Sequence, residues 1–340
     1  MKEQARVKKN YLSIAGFSLF FTALLFFPLL VKSKFYIHIM ILIFLYAAAS
    51  SGWNIVGGYA GQMSLGHAAF FGIGAYTSTL LFVHFGLTPW LGLWVGGLFS
   101  GIVAAVIGYA CFRLRGDYFA LATIAFAEVV RIVAIWWRSL TGGSMGILIP
   151  FKPGWAFMMF REKEIYYYLG LLLMTIVILL AYIIEKSRFG YYLRAIREDE
   201  DAAEALGVNA FKCKLIAAVI SAFITGICGV YYAQYILFIE PEGVLALHLS
   251  IQLVLIAVIG GLGTVWGPIM GAFLVVPLSE LLRGWLGGAM MGLNLFLYGI
   301  VLILVVTFMP NGLVPWFKRL FDRYLLTVIN GRLEQVSKNV

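Results

Sequence analysis

Long apolar stretches recur along the whole chain, at 11–31, 37–56, 63–85, 87–112, 118–137, 165–184, 215–236, 244–261, 268–286 and 292–309. Each can cross roughly 30 Å of hydrocarbon as a helix, and none shows the ten-residue alternation of a membrane barrel strand. No soluble core could bury so much apolar surface: 62% of the 340 residues are hydrophobic and 12% are charged, with a mean hydropathy of +0.94. The chain therefore reads as an all-α polytopic membrane protein, one transmembrane domain over residues 1–340 with about ten transmembrane helices. The eighth and ninth stretches are joined by GGLGTVWGP at 260–268, which a re-entrant bend would also explain, and eight crossings would then follow.

Charge sets the orientation. With the N-terminus in the cytoplasm, Lys2, Arg6, Lys8, Lys9, Arg113, Arg115, the stretch 185–214 and the C-terminal tail all lie inside, and with them most of the 25 lysines and arginines. That is the positive-inside pattern, and an odd number of crossings would break it. The net charge of +9 does not point to nucleic acid, because the basic residues sit in loops between spans rather than on one folded face. The basic start resembles a signal peptide, but its apolar run is 21 residues long and no clear small-residue cleavage site follows, so a retained first helix is expected. Cys111, Cys213 and Cys228 lack metal-ligand spacing and are expected to pack inside helices rather than form disulfides.

Two segments are unusually rich in glycine. GYAGQMSLGHAAFFGIGAY at 58–76 and GGLGTVWGPIMGAF at 260–273 each hold five glycines and a small hydroxyl residue, Ser64 or Thr264, and end in Gly-Ala-aromatic. They form a weak internal repeat, early in the first half and late in the second. Matched helix breaks of this kind expose backbone groups to a polar solute, which makes Gly61, Gln62, Ser64, Gly66, His67, Gly263, Thr264 and Gly267 candidates for a translocation pathway. Close helix packing through small residues explains the same glycines without a pathway, as at Gly267 and Gly271.

Few charges fall inside the spans. Glu128 and Arg131 are three residues apart, share a helix face and can pair, either as a structural ion pair or as part of the pathway. His248 and Gln252 form a second polar stripe, and Glu280 and Arg283 can reach an interface as a solvated pair.

The stretch 185–214 contains EDEDAAEALG at 198–207, with acids where a first helical turn begins, alanines in the middle and Gly207 at the C′ position. A connection between spans needs only a few flexible residues, so a well-formed polar helix there implies that something docks on it. On the other side, 138–164 is the sizeable outer loop, with TGGSMGI at 141–147 and Trp155, a natural docking surface for a soluble partner.

The segments GQMSLGHAAFFGIGAY, TGGSMGI, RFGYYLRAIREDEDAAEALGVN and AVIGGLGTVWGPIMGAF, in this order, resemble the LivM-type permease subunits of branched-chain amino acid ABC importers. The resemblance implies import of leucine, isoleucine and valine across a bacterial inner membrane, with both termini cytoplasmic. It implies as partners two ATP-binding subunits, a second related permease, a periplasmic amino-acid-binding protein and membrane lipid. No cofactor is expected on this chain, since ATP and Mg²⁺ would be handled by the partner subunits. The E-A-A-x-x-x-G motif of such permeases is matched by Asp201, Ala202, Ala203 and Gly207, with Asp in place of Glu. Together with Glu204 and Leu206 these would form the ATPase-coupling helix, with Ala202, Ala203 and Leu206 as a small apolar face.

No GxxxxGK[ST] occurs, and no glycine precedes a lysine, so a P-loop is excluded and the chain is not expected to be an enzyme. Urea, short amides or other amino acids are alternative solutes. An ion-driven secondary transporter with Glu128 carrying a proton is the competing mechanism. An intramembrane enzyme holding Mg²⁺ on Glu198, Asp199, Glu200 and Asp201 fits poorly, because consecutive residues point to different helix faces.

Overall fold

The computed structural model describes residues 20–114, 116–286 and scattered positions between 299 and 319. In chain order the helices are α1 (Phe20–Leu30), α2 (Lys34–Asn54), α3 (His67–Phe85), α4 (Pro89–Cys111), α5 (Asp117–Trp136), α6 (Arg138–Thr141), α7 (Lys163–Lys186), α8 (Arg188–Glu198), α9 (Glu200–Ala205), α10 (Ala210–Ile236), α11 (Pro241–Val244), α12 (Leu247–Gly261) and α13 (Gly267–Leu286). Seven helical segments among the described residues are long and apolar enough to cross a membrane, from Lys34–Tyr59 to Pro241–Gly261. α13 adds a further helix of 20 residues. Together these account for stretches two to nine of the sequence reading, with ends shifted by a few residues. The first stretch, 11–31, is described only from Phe20, and the tenth, 292–309, lies almost wholly outside the described residues. Lys2, Arg6, Lys8, Lys9, Arg115 and the C-terminal tail also lie outside them.

α2 is apolar on every side, and such a helix belongs at the centre of a bundle. It packs against α7, α10, α12 and α13, with Phe44 and Trp53 fully buried. α3, α4 and α10 form a second tight group around small residues. A side chain at Gly229 would stand 1.9 Å from the Phe71 carbonyl, and one at Gly74 only 2.1 Å from that of Gly226. Ser100 on α4 donates to the Phe70 carbonyl on α3 at 2.9 Å. Lipid supplies no hydrophobic drive between helices, so close backbone approach and such hydrogen bonds hold the group together.

GGLGTVWGP makes a tight turn between α12 and α13, which pack antiparallel. Side chains at Gly260 and Gly271 would fall 1.7 Å from the Gly267 carbonyl and 1.9 Å from that of Ile256. α5 lies at the edge of the bundle and buries only Phe119, Thr123, Ala127 and Ala134.

The two ends of the bundle differ. At one, α8 lays Gly190, Leu193 and Ile196 on the spans, and α9 follows directly. At the other, the 137–162 segment folds over the helices. Its β1 (Ile147–Leu148) pairs antiparallel with β2 (Phe238–Ile239), Ile147 opposite Ile239. Within TGGSMGI, Thr141 Oγ1 donates to the Ala134 and Trp137 carbonyls, and a side chain at Gly146 would stand 2.3 Å from the Ile239 carbonyl.

Candidate functional site

α2 does not end cleanly. It passes through a π-helical turn at Ile55–Tyr59, and residues 60–66 are non-helical before α3 starts at His67. π turns leave the regular hydrogen-bond ladder out of step and occur often at functional positions. The break is held open by side chains. Trp53 Nε1 donates to the Ser64 carbonyl at 2.6 Å, and the Leu65 amide to Thr123 Oγ1 at 3.0 Å.

The second glycine-rich segment meets the first here. The Gly263 amide donates to Asn54 Oδ1 at 2.9 Å, and Asn54 Nδ2 donates to the Thr264 carbonyl at 3.0 Å. One amide side chain therefore clamps the turn before α13 onto the end of α2. Thr264 also caps α13, its Oγ1 accepting from the Gly267 amide at 3.0 Å. Gly61 and Gly263 adopt positive φ, +69° and +72°, which only glycine takes without strain. Two segments about 200 residues apart in sequence thus form one junction.

Within this junction the predicted residues divide. Gly61, Gln62, Gly263 and Thr264 reach its surface, whereas Ser64, Gly66, His67 and Gly267 are buried. His67 is enclosed, with Nδ1 3.1 Å from Ser64 Oγ and Nε2 2.7 Å from Ser221 Oγ on α10. The cavity beside it, lined in part by Ser64, His67, Phe70 and Thr123, is about 20 Å³, room for about one water molecule. Ser64 and His67 tie the start of α3 to α10.

α8 and α9 reach the junction from the end of the bundle. Arg197, in the last turn of α8, donates from Nη1 to the Gly58 carbonyl at 2.7 Å. α9 is capped at both ends. Asp199 accepts from the Ala202 amide at 2.9 Å, and beyond the helix the Val208 amide donates to the Ala203 carbonyl and Gly207 (φ +88°) to that of Glu204. This pair of bonds is the Schellman arrangement that a C′ glycine favours. Glu200 pairs with Lys214 of α10 at 2.5 Å, and the Lys214 side chain is 2% exposed. Asp201, Ala202, Glu204 and Gly207 face outward, and Leu206 is 86% exposed. Ala203 is buried, so Ala202, Ala203 and Leu206 do not make one apolar face. The helix stops at Ala205, and Leu206 leaves its spiral at the cap.

Glu128 and Arg131 pair, as their spacing predicts. Arg131 Nε donates to Glu128 Oε2 at 3.0 Å, and its Nη1 binds Glu242 of α11. At 1.5 Å per residue the pair stands roughly 8 to 12 Å further along α5 than Thr123, which touches the junction. It does not join the junction directly. Polar groups instead follow α5 from Thr123 through Glu128 and Arg131 to Glu242.

Arg197, Asn54, Ser221, Glu242 and the Glu200–Lys214 pair are the functional candidates that sequence reading missed. A lone Asn before two glycines at the end of an apolar run was the one signal available.

Comparison with known proteins agrees with this architecture. Residues 35–306 match the family described as branched-chain amino acid transport system / permease component. The chain belongs to this permease family. It is 32% identical over 304 residues to the high-affinity branched-chain amino acid transport system permease LivM of Escherichia coli, covering 82% of this chain and 70% of the relative. It is 25% identical over 289 residues to the LivH permease of Salmonella typhimurium, covering 79% and 91%. A nucleoside ABC transporter permease of Lactococcus lactis, NupC, is 26% identical over 195 residues, 52% of this chain and 60% of that one. No solved structure matches. Family membership and the apolar helices make this permease a multi-pass membrane protein with a transport role.

Proposed function

We propose that the permease is one membrane subunit of an ATP-driven importer of leucine, isoleucine and valine in a bacterial inner membrane. It would span the membrane ten times with both termini in the cytoplasm. The arrangement of α9 carries the reading: a short helix, capped at both ends and pinned through Glu200 by a buried ion pair, turns Asp201, Glu204 and Leu206 away from the bundle. A mere connection has no need of this. Residues 185–214 are then the cytoplasmic coupling element, with Asp201, Ala202, Glu204, Leu206 and Gly207 meeting an ATP-binding subunit and Ala203 seating the helix. ATP and Mg²⁺ belong to two such subunits, and this chain carries no catalytic site or cofactor of its own.

The pathway would run along the open side of α5, from Gly61, Gln62, Gly263 and Thr264 past Glu128 and Arg131. Ser64, Gly66, His67 and Gly267 hold the junction in shape. α5 is too thinly covered to wall a channel alone, which supports a second, related permease closing over it. Residues 138–164 would face the periplasm and receive the amino-acid-binding protein, with Met145 86% exposed at the tip of the glycine turn.

Reconstitution with the candidate partner permease, ATP-binding subunits and binding protein tests the reading through uptake of labelled leucine. Accumulation should require ATP and the binding protein. Uptake that persists without ATP and collapses with the proton gradient would replace this mechanism with an ion-driven one. The likeness to a nucleoside permease makes a labelled nucleoside the control solute, beside urea.

A further inference from the structure

We propose that Arg197 is the positioning residue through which movement of α9 reaches the two glycine-rich segments. This rests on the reading of α9 as the docking helix and adds the route by which its motion enters the spans. α8 and α9 are joined by Asp199 alone, whose amide closes α8 on the Ala195 carbonyl at 3.0 Å while its carboxylate caps α9. The two helices share Asp199 as a cap and pack against each other, so a tilt of one is passed to the other. Glu200, the next residue, is held by Lys214 of α10. That ion pair supplies a fulcrum, and Arg197 stands three residues before it in the last turn of α8.

The guanidinium lies where both segments converge. It donates to the Gly58 carbonyl, in the π-helical turn. A side chain at Gly263 would stand 2.5 Å from Arg197 Nη1, and one at Gly61 only 2.9 Å from its Cγ. Gly58 in turn lies against Gly263, where a side chain would come within 2.7 Å of the Gly263 amide nitrogen. The side chain of Arg197, exposed on its outer side, thus lies across three glycines, its stem against Gly61 and its head at Gly58 and Gly263. A charge-assisted bond to a carbonyl is strong enough to hold one arrangement and weak enough to be exchanged in each cycle. Tilting α9 about the Glu200–Lys214 pair would draw Arg197 out and free the segments to part.

The test compares Arg197→Ala and Arg197→Lys with the parent in the fully reconstituted importer. Arg197→Ala should assemble and hydrolyse ATP within about twofold of the parent, while leucine uptake per ATP falls about tenfold. Arg197→Lys retains a cationic donor and should recover much of that loss. Without nucleotide, amide hydrogen exchange over residues 57–66 and 262–266 should rise about tenfold in Arg197→Ala and stay near the parent in Arg197→Lys. Unchanged uptake per ATP in Arg197→Ala overturns the proposal. So does an equal fall in assembly and hydrolysis that Arg197→Lys fails to relieve, the mark of a residue needed only for folding. If the parent moves another solute, only the leucine assignment fails, and the ratio is read with that solute. If the parent's uptake needs no ATP, the docking reading fails, and exchange at the two segments decides whether Arg197 holds them.

Discussion

α2 and α5 are nearly equal in length, 21 and 20 residues, and both are apolar enough to span a membrane, yet in the span Lys34–Tyr59, α2 with its π turn, 94% of an 18-residue apolar stretch is buried, against 22% in α5. Their average apolarity does not separate them. What separates them is where their polar groups go. On α2, Ser50 donates to the Leu253 carbonyl at 2.8 Å and Asn54 clamps the Gly263 turn, so these two polar side chains bond inside the subunit. On α5, Glu128 and Arg131 keep side-chain exposures of 42% and 21% beside Leu121, Val129 and Ile132, which are more than half exposed. A charged pair on a span is stable only against protein or water, never against lipid alone. α2 is therefore a finished interior, and α5 is a surface on which the subunit is incomplete.

Matched truncations should break the comparison first. Phe44→Ala on α2 removes a fully buried ring and should lower stability by about 3 to 5 kcal/mol, read as thermal unfolding of the purified subunit in nanodiscs. Val129→Ala on α5 should change it by less than about 0.5 kcal/mol. Equal losses would mean that α5 is packed within this subunit in some other arrangement. Next in size is Glu200→Ala. It leaves the Lys214 ammonium buried without its partner and should cost about 3 kcal/mol, most of which Lys214→Met in the same chain should restore. A loss of only a few tenths would show that the pair is solvated and no fulcrum.

Arg131→Ala sharpens the comparison from the other side. The pair is partly exposed, and Glu242 is mostly so, so the isolated subunit should lose less than about 1 kcal/mol of stability. In the assembled importer the same change should cut leucine uptake about tenfold, because the uncompensated Glu128 carboxylate would then face the partner or the solute. A variant that unfolds as a monomer would move the pair from the pathway to the scaffold.

How far the chain announced this arrangement depends on the range of each interaction. Stretches two to nine were readable because a long apolar helix is a local object, fixed by length and apolarity. Gly207 was readable at C′ for the same reason, since a Schellman turn involves neighbours only. The Glu128–Arg131 pair is one helical turn long and was readable too, whereas Glu242, which completes it, is 111 residues away. Arg197 and Gly58 are 139 residues apart, and His67 and Ser221 are 154 apart. No spacing rule connects such positions, and the meeting of the two glycine-rich segments follows only from how α2, α12 and α13 pack. The misjudged face of α9 has a different cause. On a helix of six residues the cap takes up a large part of the surface, and Leu206 belongs to the cap rather than to the spiral on which Ala203 turns inward.

The smallest expected effect tests that last point. Ala203 and Leu206 both lie in the motif that resembles the ATPase-docking sequence, yet one is 3% exposed and the other 86%. If α9 docks through what it exposes, Leu206→Ala should leave the unfolding temperature of the subunit unchanged and weaken association with the ATP-binding subunit about fivefold, roughly 1 kcal/mol. Ala203→Leu should do the reverse, unseating α9 from the bundle and lowering stability before any docking is measured, because the space around a buried alanine does not admit a branched side chain. Fluorescence titration of the ATP-binding subunit against the nanodisc-held permease reads the first, and thermal unfolding reads the second. Should Leu206→Ala bind as tightly as the parent while Glu204→Lys does not, docking is carried by the acids of α9 and its apolar tip plays no part.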